Sequence, residues 1–189
     1  MIKNHQISDY GVIVKMHLTI LPNSIPALLG YSYLKKVYKY FQLSKYEKII
    51  IIDNEKDFSG LSVYSLRPDT LSKRLIFNTP LISSIIKFIF TQSIFKSFKL
   101  LRLFIVNGTN VFPELLYLFV DENHRGSGIG RRLVKETLKV SVEKNDEYLS
   151  VRCEDNLVNF YTKLGFELYE KNKYNILIKK HSIKPSGEN

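Results

Sequence analysis

Cysteine and acidic side chains are both scarce in this sequence of 189 residues. Its single cysteine, Cys153, excludes an internal disulfide framework and a zinc site built from several cysteines, which favours a reducing, cytoplasmic compartment. The 18 acidic residues are outnumbered by 28 lysines and arginines, so the chain has a formal net charge of +10 at pH 7. Such a surplus favours an anionic partner, which could be a nucleic acid, an anionic membrane or a phosphate-rich small molecule.

The sequence also lacks a long uncharged apolar run. Residues 81–106, LISSIIKFIFTQSIFKSFKLLRLFIV, are rich in apolar side chains but are interrupted by Lys87, Lys96, Lys99 and Arg102. A helix that spans a bilayer needs about 18 to 20 apolar residues, so we expect no spanning segment. A cover over a binding site or an oligomer face is the favoured role for 81–106, and contact with a membrane surface is the weaker option. The first residues show no secretory signal pattern either.

The basic residues are dispersed along the chain. Lysine pairs occur at 35–36 and 179–180, but no zinc-finger or RNP-type motif accompanies them. A dispersed basic surface is more often a solvated face than a nucleic-acid interface, so we expect no nucleic-acid partner.

Hydrophobic periodicity predicts alternating strands and helices. Residues 11–20 fit either a helix or a strand that runs into one, residues 25–41 fit an amphipathic helix, and 48–54 with 58–66 predict a hairpin. Residues 113–120, PELLYLFV, are typical of a strand covered on both faces, and a glycine turn, a helix, a strand, a short helix and a last strand follow. We expect one α/β (α+β) domain over residues 1–189 with a mixed sheet, and a flexible tail at about 182–189.

Three glycines at alternate positions, Gly126, Gly128 and Gly130, lie between the strand at 113–120 and the next helix. Such a turn can hold an anion, because main-chain N–H groups and the helix dipole both favour negative charge there. The spacing differs from the G-x-G-x-x-G of dinucleotide sites, and the Lys and Ser or Thr of a P-loop are missing. Another kind of phosphate turn and a turn that needs its glycines only for packing both stay open.

The stretch RGSGIG at 125–130 resembles the R/Q-x-x-G-x-G/A acetyl-CoA motif of the GNAT superfamily of N-acetyltransferases. Downstream, FYTKLGF at 160–166 resembles that family's F-Y-x-x-x-G-F helix end, and the clear resemblance covers about residues 113–179. The residues from His17 onward are similar to a GNAT subgroup with a helical insertion before the cofactor strand, which would be about 67–110 here. The resemblance implies a mixed, mostly antiparallel sheet that is splayed at the acetyl-CoA site, with helices on both faces.

The resemblance also implies where acetyl-CoA binds. The splayed strand would pair its main chain with the pantetheine arm, and the glycine turn would bind the pyrophosphate. The implied cofactor-binding residues are Leu118, Phe119, Val120, Arg125, Gly126, Ser127, Gly128, Ile129, Gly130 and Arg131. The sequence departs from the family at Glu154, where an asparagine is usual, and at Leu157, where alanine is frequent.

Two catalytic residues are implied in the same way. Tyr161, in the FY marker, would protonate the departing thiolate, and Glu114, at the start of the cofactor strand, would take the proton of the amine directly or through water. A main-chain N–H near Leu118 or Phe119 would stabilise the oxyanion. We expect direct transfer without a covalent enzyme intermediate and without a metal, and Cys153 is not expected to be a nucleophile.

The function implied is an acetyl-CoA-dependent N-acetyltransferase that acts on a primary amine of a small molecule. A nucleotide-linked amino sugar would suit the basic surface, and a homodimer is compatible with the sequence. Two other functions stay open, namely a catalytically weak acyl-CoA-binding sensor or interaction module and a protein or peptide N-acetyltransferase. His17, Tyr31 and Tyr33 are candidates for the acceptor side only because they lie in the N-terminal helical region.

Overall fold

The computed structural model describes residues 10–54, 57–91, 112–171 and 175–180. The predicted tail at 182–189 and residues 92–110 of the predicted insertion lie outside these ranges. The helices are α1 Tyr10–Ile20, α2 Ile25–Leu28, α3 Tyr31–Leu43, α4 Leu71–Asn78, α5 Leu81–Thr91, α6 Ile129–Glu143 and α7 Asp155–Thr162. The strands are β1 Glu47–Asn54, β2 Asp57–Ser65, β3 Glu114–Val120, β4 Tyr148–Cys153, β5 Glu167–Lys171 and β6 Asn175–Lys180.

The six strands form one sheet in the order β1-β2-β3-β4-β6-β5. Strands β1 and β2 are the predicted hairpin, and every neighbouring pair is antiparallel except β3 with β4, which run parallel. The mixed, mostly antiparallel sheet predicted from the sequence is therefore confirmed.

Helices α1 and α3 cover one face of the sheet, which we call the α1–α3 face. Their buried side chains Ile13, Val14, Leu34 and Val37 form one core with Phe119 of β3. The predicted helix at 25–41 is divided in two, because Gly30 has a φ of +93° and precedes α3 as its N-cap. The left-handed region strongly favours glycine, so this position ends one helix and begins another.

Helices α6 and α7 cover the opposite face, which we call the α6–α7 face. Val134 of α6 and Tyr161 of α7 pack with Leu115, Val151 and Leu177 from three strands. The buried side chains of α6 recur every three to four residues, as expected for a helix with one face on a sheet, and they are Leu133, Val134, Thr137 and Ser141. The sheet thus has helices on both faces, as expected.

Helices α4 and α5, the α4–α5 pair, follow β2 within the segment predicted as an insertion. The guanidinium of Arg74 in α4 pairs with the buried Glu47 carboxylate at the start of β1. Thr79, between the two helices, donates a hydrogen bond of 3.3 Å to the Tyr33 hydroxyl of α3. These contacts fix the pair beside α3 and the β1 end of the sheet. No helix in the described ranges is long and apolar enough to cross a membrane.

Strand β5 was not predicted from the sequence. Its residues, ELYEK, are all exposed, so they follow no apolar alternation that would indicate a strand. The strand forms because β6 offers it an antiparallel partner at the edge of the sheet.

Candidate functional site

Strand β3 contains a β-bulge at Leu116. Tyr64 of β2 pairs with Leu115 and Val63 pairs with Tyr117, so Leu116 has no opposite residue in β2. A bulge changes the alternation of side chains along a strand. Leu115 accordingly packs on the α6–α7 face, whereas Tyr117 and Phe119 pack on the α1–α3 face.

Strands β3 and β4 separate soon after they meet. They pair only at Glu114 with Ser150 and at Leu115 with Val151. Beyond Leu115, the β4-facing edge of β3 has no strand partner in the described part of the chain. This opening is the predicted splay.

The main chain of β3 fixes which residues face that open edge. The Phe119 carbonyl lies against β2, since a Cβ on Gly60 would come within 2.6 Å of its oxygen. The N–H of Asp121 also donates to β2, at the Ser59 carbonyl, over 3.0 Å. Successive residues of a strand direct their main chain to alternate edges, so Leu118 and Val120 face the opening. Phe119, also predicted to bind the pantetheine arm, directs its main chain to the wrong edge for that contact.

The glycine turn begins where β3 ends. Gly126 and Gly128 have φ values of +79° and +84°, and a Cβ on either would meet no atom within 4 Å. Packing therefore does not explain these two glycines, and their left-handed backbone does. A Cβ on Gly130 would be at an ordinary contact distance of 3.6 Å from Phe160 and Val120. The turn leaves open space over two of its three glycines.

The N–H groups of this turn are divided between two uses. Those of Arg125 and Ser127 donate within the turn, to the carbonyls of Glu122 and His124 at 3.3 and 3.4 Å. The first intrahelical bond of α6 comes from Arg132 to Gly128, and Gly128 provides no side-chain cap. Within the described residues, the remaining N–H groups have no partner, and these belong to Gly126, Gly128, Ile129, Gly130 and Arg131. Five donors at a helix N-terminus form a site for an anion.

The predicted arginines lie on the surface around the turn. Arg125 is half-exposed, with its Nη2 3.5 Å from an oxygen of the exposed Glu122 carboxylate, and Arg131 is exposed on the first turn of α6. An exposed pair of this kind is worth little, so Arg125 can exchange Glu122 for another anion at small cost.

Tyr161 lies on the buried side of α7. Its ring makes edge contacts with Phe160 and Phe166, with centroids 4.9 and 5.6 Å apart. Burial raises the pKa of Tyr161, and the nearby Cys153 thiol adds to the rise. The phenol therefore keeps its proton at neutral pH and is a donor. Burial also raises the pKa of Cys153, which keeps that thiol neutral and weakly nucleophilic.

Helix α7 is fixed at both ends by side chains from β5 and β6. Asp155 accepts a hydrogen bond of 2.7 Å from Asn175 and lies 3.4 Å from Lys171, and these two partners lower its pKa. Lys179 donates to the Leu164 carbonyl just after the helix. Glu154, where the family has asparagine, is the N-cap residue of α7 and makes no side-chain capping bond. The position of Tyr161 thus depends on contacts at each end of its helix.

Glu114 lies at the start of β3, where the two strands are still paired. Its buried carboxylate accepts two hydrogen bonds from Arg152 of β4, Nε to Oε1 at 2.6 Å and Nη2 to Oε2 at 3.2 Å. Arg152 alternates with Val151 and Cys153, which face α6 and α7, so the ion pair lies on the α1–α3 face. Arg152 was not predicted from the sequence, although a carboxylate in an apolar strand requires a partner.

Three aromatic or imidazole side chains fill the α1–α3 face beyond this pair. The His17 ring nitrogens lie 2.8 Å from the Tyr38 hydroxyl and 2.8 Å from Ser24 Oγ, and the ring meets Tyr117 and Phe119 edge-on. Burial lowers the pKa of His17 to about 4, so it is neutral at pH 7. Both ring nitrogens are used in the core, which leaves His17 without the acceptor role considered for it.

Glu114 and Tyr161 therefore lie on opposite faces of the sheet, and the opening between β3 and β4 begins after Leu115. Among the described residues, no group of three or more His, Cys, Asp or Glu side chains could hold a metal ion.

Residues 99–168 match the family model of the acetyltransferase (GNAT) domain. This range contains β3, the glycine turn, α6, β4 and α7. No curated protein matches the sequence.

Solved structures are similar over nearly the whole chain. An N-acetyltransferase from Staphylococcus aureus Mu50 has a TM-score of 0.66 at 16% identity, covering 94% of this chain and 99% of that one. The PaiA N-acetyltransferase from Thermoplasma acidophilum, in complex with coenzyme A, has a TM-score of 0.61 at 13% identity, covering 96% and 98%. The described part of the chain therefore has the fold of these acetyltransferases.

Proposed function

We propose that this protein is an acetyl-CoA-dependent N-acetyltransferase that moves an acetyl group directly to a primary amine of a small molecule. The observation that carries the proposal is the continuity of one surface. The open edge of β3 leads into a helix N-terminus with five unpaired N–H groups, and Tyr161 is buried on the α6–α7 face, in one core with Leu115 of the same strand. A long ligand with amides at one end and a pyrophosphate at the other fits that order of groups.

The pantetheine arm would bind along the open edge as an added strand. Leu118 and Val120 would supply the main-chain partners, since Phe119 faces β2. The Leu118 N–H is the candidate donor to the oxyanion that forms on the acetyl carbonyl. The contacts to the amides of the pantetheine arm would thus come from main-chain groups alone.

The pyrophosphate would bind at the glycine turn. The free N–H groups of Gly126, Gly128, Ile129, Gly130 and Arg131 would donate to its oxygens. Ser127 would keep the turn in shape through its bonds to the His124 carbonyl, and the side chains of Arg125 and Arg131 would add positive charge. The open space over Gly126 and Gly128 would let phosphate oxygens approach the main chain.

The chemistry requires two proton transfers. A new C–N bond forms as the C–S bond of the thioester breaks, so the amine must lose a proton and the departing sulfur must gain one. Glu114 would take the amine proton, directly or through water, and Tyr161 would donate to the sulfur. The raised pKa of Tyr161 supports this role, because only a protonated phenol can donate.

Arg152 would act as a positioning residue. Its two hydrogen bonds hold the Glu114 carboxylate in one orientation while the acceptor approaches. The carboxylate would then act on an amine already placed close to the thioester.

The acceptor class rests on charge. The net charge of +10 suits an acceptor that carries phosphate, such as an amino sugar linked to a nucleotide. His17, Tyr117 and other aromatic side chains pack together on the α1–α3 face. Because this face is already occupied by side chains, it favours a small acceptor over a protein segment.

The test is to mix the purified protein with acetyl-CoA and a panel of amines and to measure released coenzyme A thiol. We expect release that depends on the amine and yields an equal amount of acetylated product. Tight binding of acetyl-CoA with no amine-dependent release would favour the sensor instead.

A further inference from the structure

The α4–α5 pair presents an apolar surface to solvent. In α5, the exposed side chains Ile82, Ile86, Ile89 and Phe90 lie on one side of the helix, and Leu81 and Phe88 are buried on the other. In α4, Ile76 and Phe77 are exposed as well, and Phe77 and Phe90 are each 85% exposed. We call these six exposed residues the α4–α5 apolar surface. Two phenylalanines this exposed on neighbouring helices indicate a surface that a binding partner covers when the protein is functioning.

Every charged side chain of α4 and α5 in their described residues is basic. Lys73 and Lys87 are exposed on α4 and α5, the helices that carry the apolar side chains. The guanidinium of Arg74 pairs with Glu47 and does not add to the surface charge.

A surface of this composition fits an anionic lipid bilayer. Exposed phenylalanine and isoleucine side chains can enter the boundary between head groups and acyl chains, and lysines at the rim are attracted to anionic head groups. A second copy of the chain would fit less well, because pairing two such surfaces would bring Lys73 and Lys87 close to identical charges. The charge therefore favours lipid over self-association.

We propose that the α4–α5 apolar surface docks the protein on an anionic membrane surface. The contact is peripheral, since α5 has 11 residues and lies far below the length needed to span. The rigid attachment of α4 through Arg74 and Glu47 fixes the orientation in which the domain would be held. This inference uses no part of the acetyl-CoA site and is independent of the proposed function.

The experiment measures sedimentation of the full chain with vesicles, without acetyl-CoA. Vesicles of phosphatidylcholine with phosphatidylglycerol are compared with vesicles of phosphatidylcholine alone, at low salt and at about 0.5 M salt. We expect binding to the anionic vesicles only, and weaker binding at high salt. Equal binding to both compositions, or binding to neither, overturns the proposal.

The surface itself is tested by replacing Phe77 and Phe90 together with serine. Both side chains are largely exposed, so the double variant should fold, which circular dichroism checks. The matched control is Leu43→Ser, because Leu43 is 77% exposed but lies at the end of α3. We expect the double variant to lose roughly tenfold or more in vesicle partitioning and the control to lose little.

An equal loss in both variants, or no loss in either, overturns the assignment to this surface. Sedimentation velocity without vesicles tests the alternative that a second copy of the chain covers this surface. A dimer that dissociates in the Phe77 and Phe90 variant but not in the Leu43 variant, with no vesicle binding, would assign the surface to a second copy.

Discussion

The Arg152 guanidinium of β4 binds the buried Glu114 carboxylate of β3 through two hydrogen bonds, beside the two residue pairs that join these strands. The ion pair thus links the strands at the end of β3 that precedes their separation. The Arg152 side chain is 30% exposed and the Glu114 side chain 3%. A bidentate pair of this kind fixes direction as well as distance.

Replacing Arg152 with glutamine is expected to lower kcat/KM for the amine roughly tenfold. Without the guanidinium the Glu114 carboxylate loses the two hydrogen bonds that fix its orientation, so fewer bound amines meet it in a productive geometry. Arg152→Lys keeps the charge but loses the second hydrogen bond, and it should restore part of the wild-type rate. The measurement is kcat and KM of amine-dependent thiol release.

The control for this variant is Glu114→Gln, which should lower turnover at least as much. If Glu114→Gln keeps wild-type turnover, another group is the base. If turnover falls there but not in Arg152→Gln, Arg152 has no positioning role. The KM for acetyl-CoA should be unchanged in all three variants.

Tyr161→Phe is expected to keep acetyl-CoA binding and to lower kcat roughly tenfold or more, because the departing sulfur loses its proton donor. The ring contacts with Phe160 and Phe166 are kept, so the fold should not change. Tyr169→Phe, on the exposed strand β5, is the matched control and should leave kcat unchanged. Wild-type turnover in Tyr161→Phe would remove the phenol from the mechanism.

Gly128→Val is expected to abolish acetyl-CoA binding. A β-branched residue is strained at a φ of +84°, and its side chain would occupy the space above the free N–H groups. Gly30→Val is the matched control, because Gly30 has a φ of +93° and equally open surroundings but precedes α3. Both variants should lose roughly 1 to 3 kcal/mol of stability from backbone strain.

The two glycine variants are compared by the rise in Tm that acetyl-CoA produces. We expect the rise to be lost in Gly128→Val and kept in Gly30→Val. A normal rise in the Gly128 variant would mean that the cofactor does not bind at this turn.

Acid should destabilise the protein through His17. The pKa of His17 is about 4 in the folded state and about 6.5 in an unfolded chain, so the unfolded state binds an extra proton between these values. The stabilisation is complete above about pH 6.5 and is lost as the pH falls towards 4, at up to roughly 1.4 kcal/mol per pH unit. Denaturant unfolding at several pH values measures this slope. His17→Gln should flatten it, and an unchanged slope would assign the effect to other groups.

The C-terminal half of the fold could be predicted from the sequence because its elements follow simple periods. The run at 113–120, the glycines at 126–130 and the FY marker at 160–161 each depend on local chemistry that a sequence displays. The GNAT resemblance added the expected positions of the cofactor-binding and catalytic residues. The fold that it implied is confirmed.

Other features depend on contacts between distant residues and could not be predicted in that way. The role of Arg152 arises only because the strand topology brings it beside Glu114, and the exposed strand β5 exists only because β6 pairs with it. The division of the helix at 25–41 was the one local feature that could have been found, since Gly30 is a known helix terminator.

The bulge at Leu116 lies at the residue where β3 leaves β4. Deleting Leu116 would make Leu115 and Tyr117 neighbours opposite Tyr64 and Val63, so the later residues would keep their partners in β2, and Leu118 and Val120 would still face the opening. The deletion would instead remove the local bend and the added twist of a bulged strand. One extra residue thus gives an otherwise continuous sheet a place at which two neighbouring strands can part.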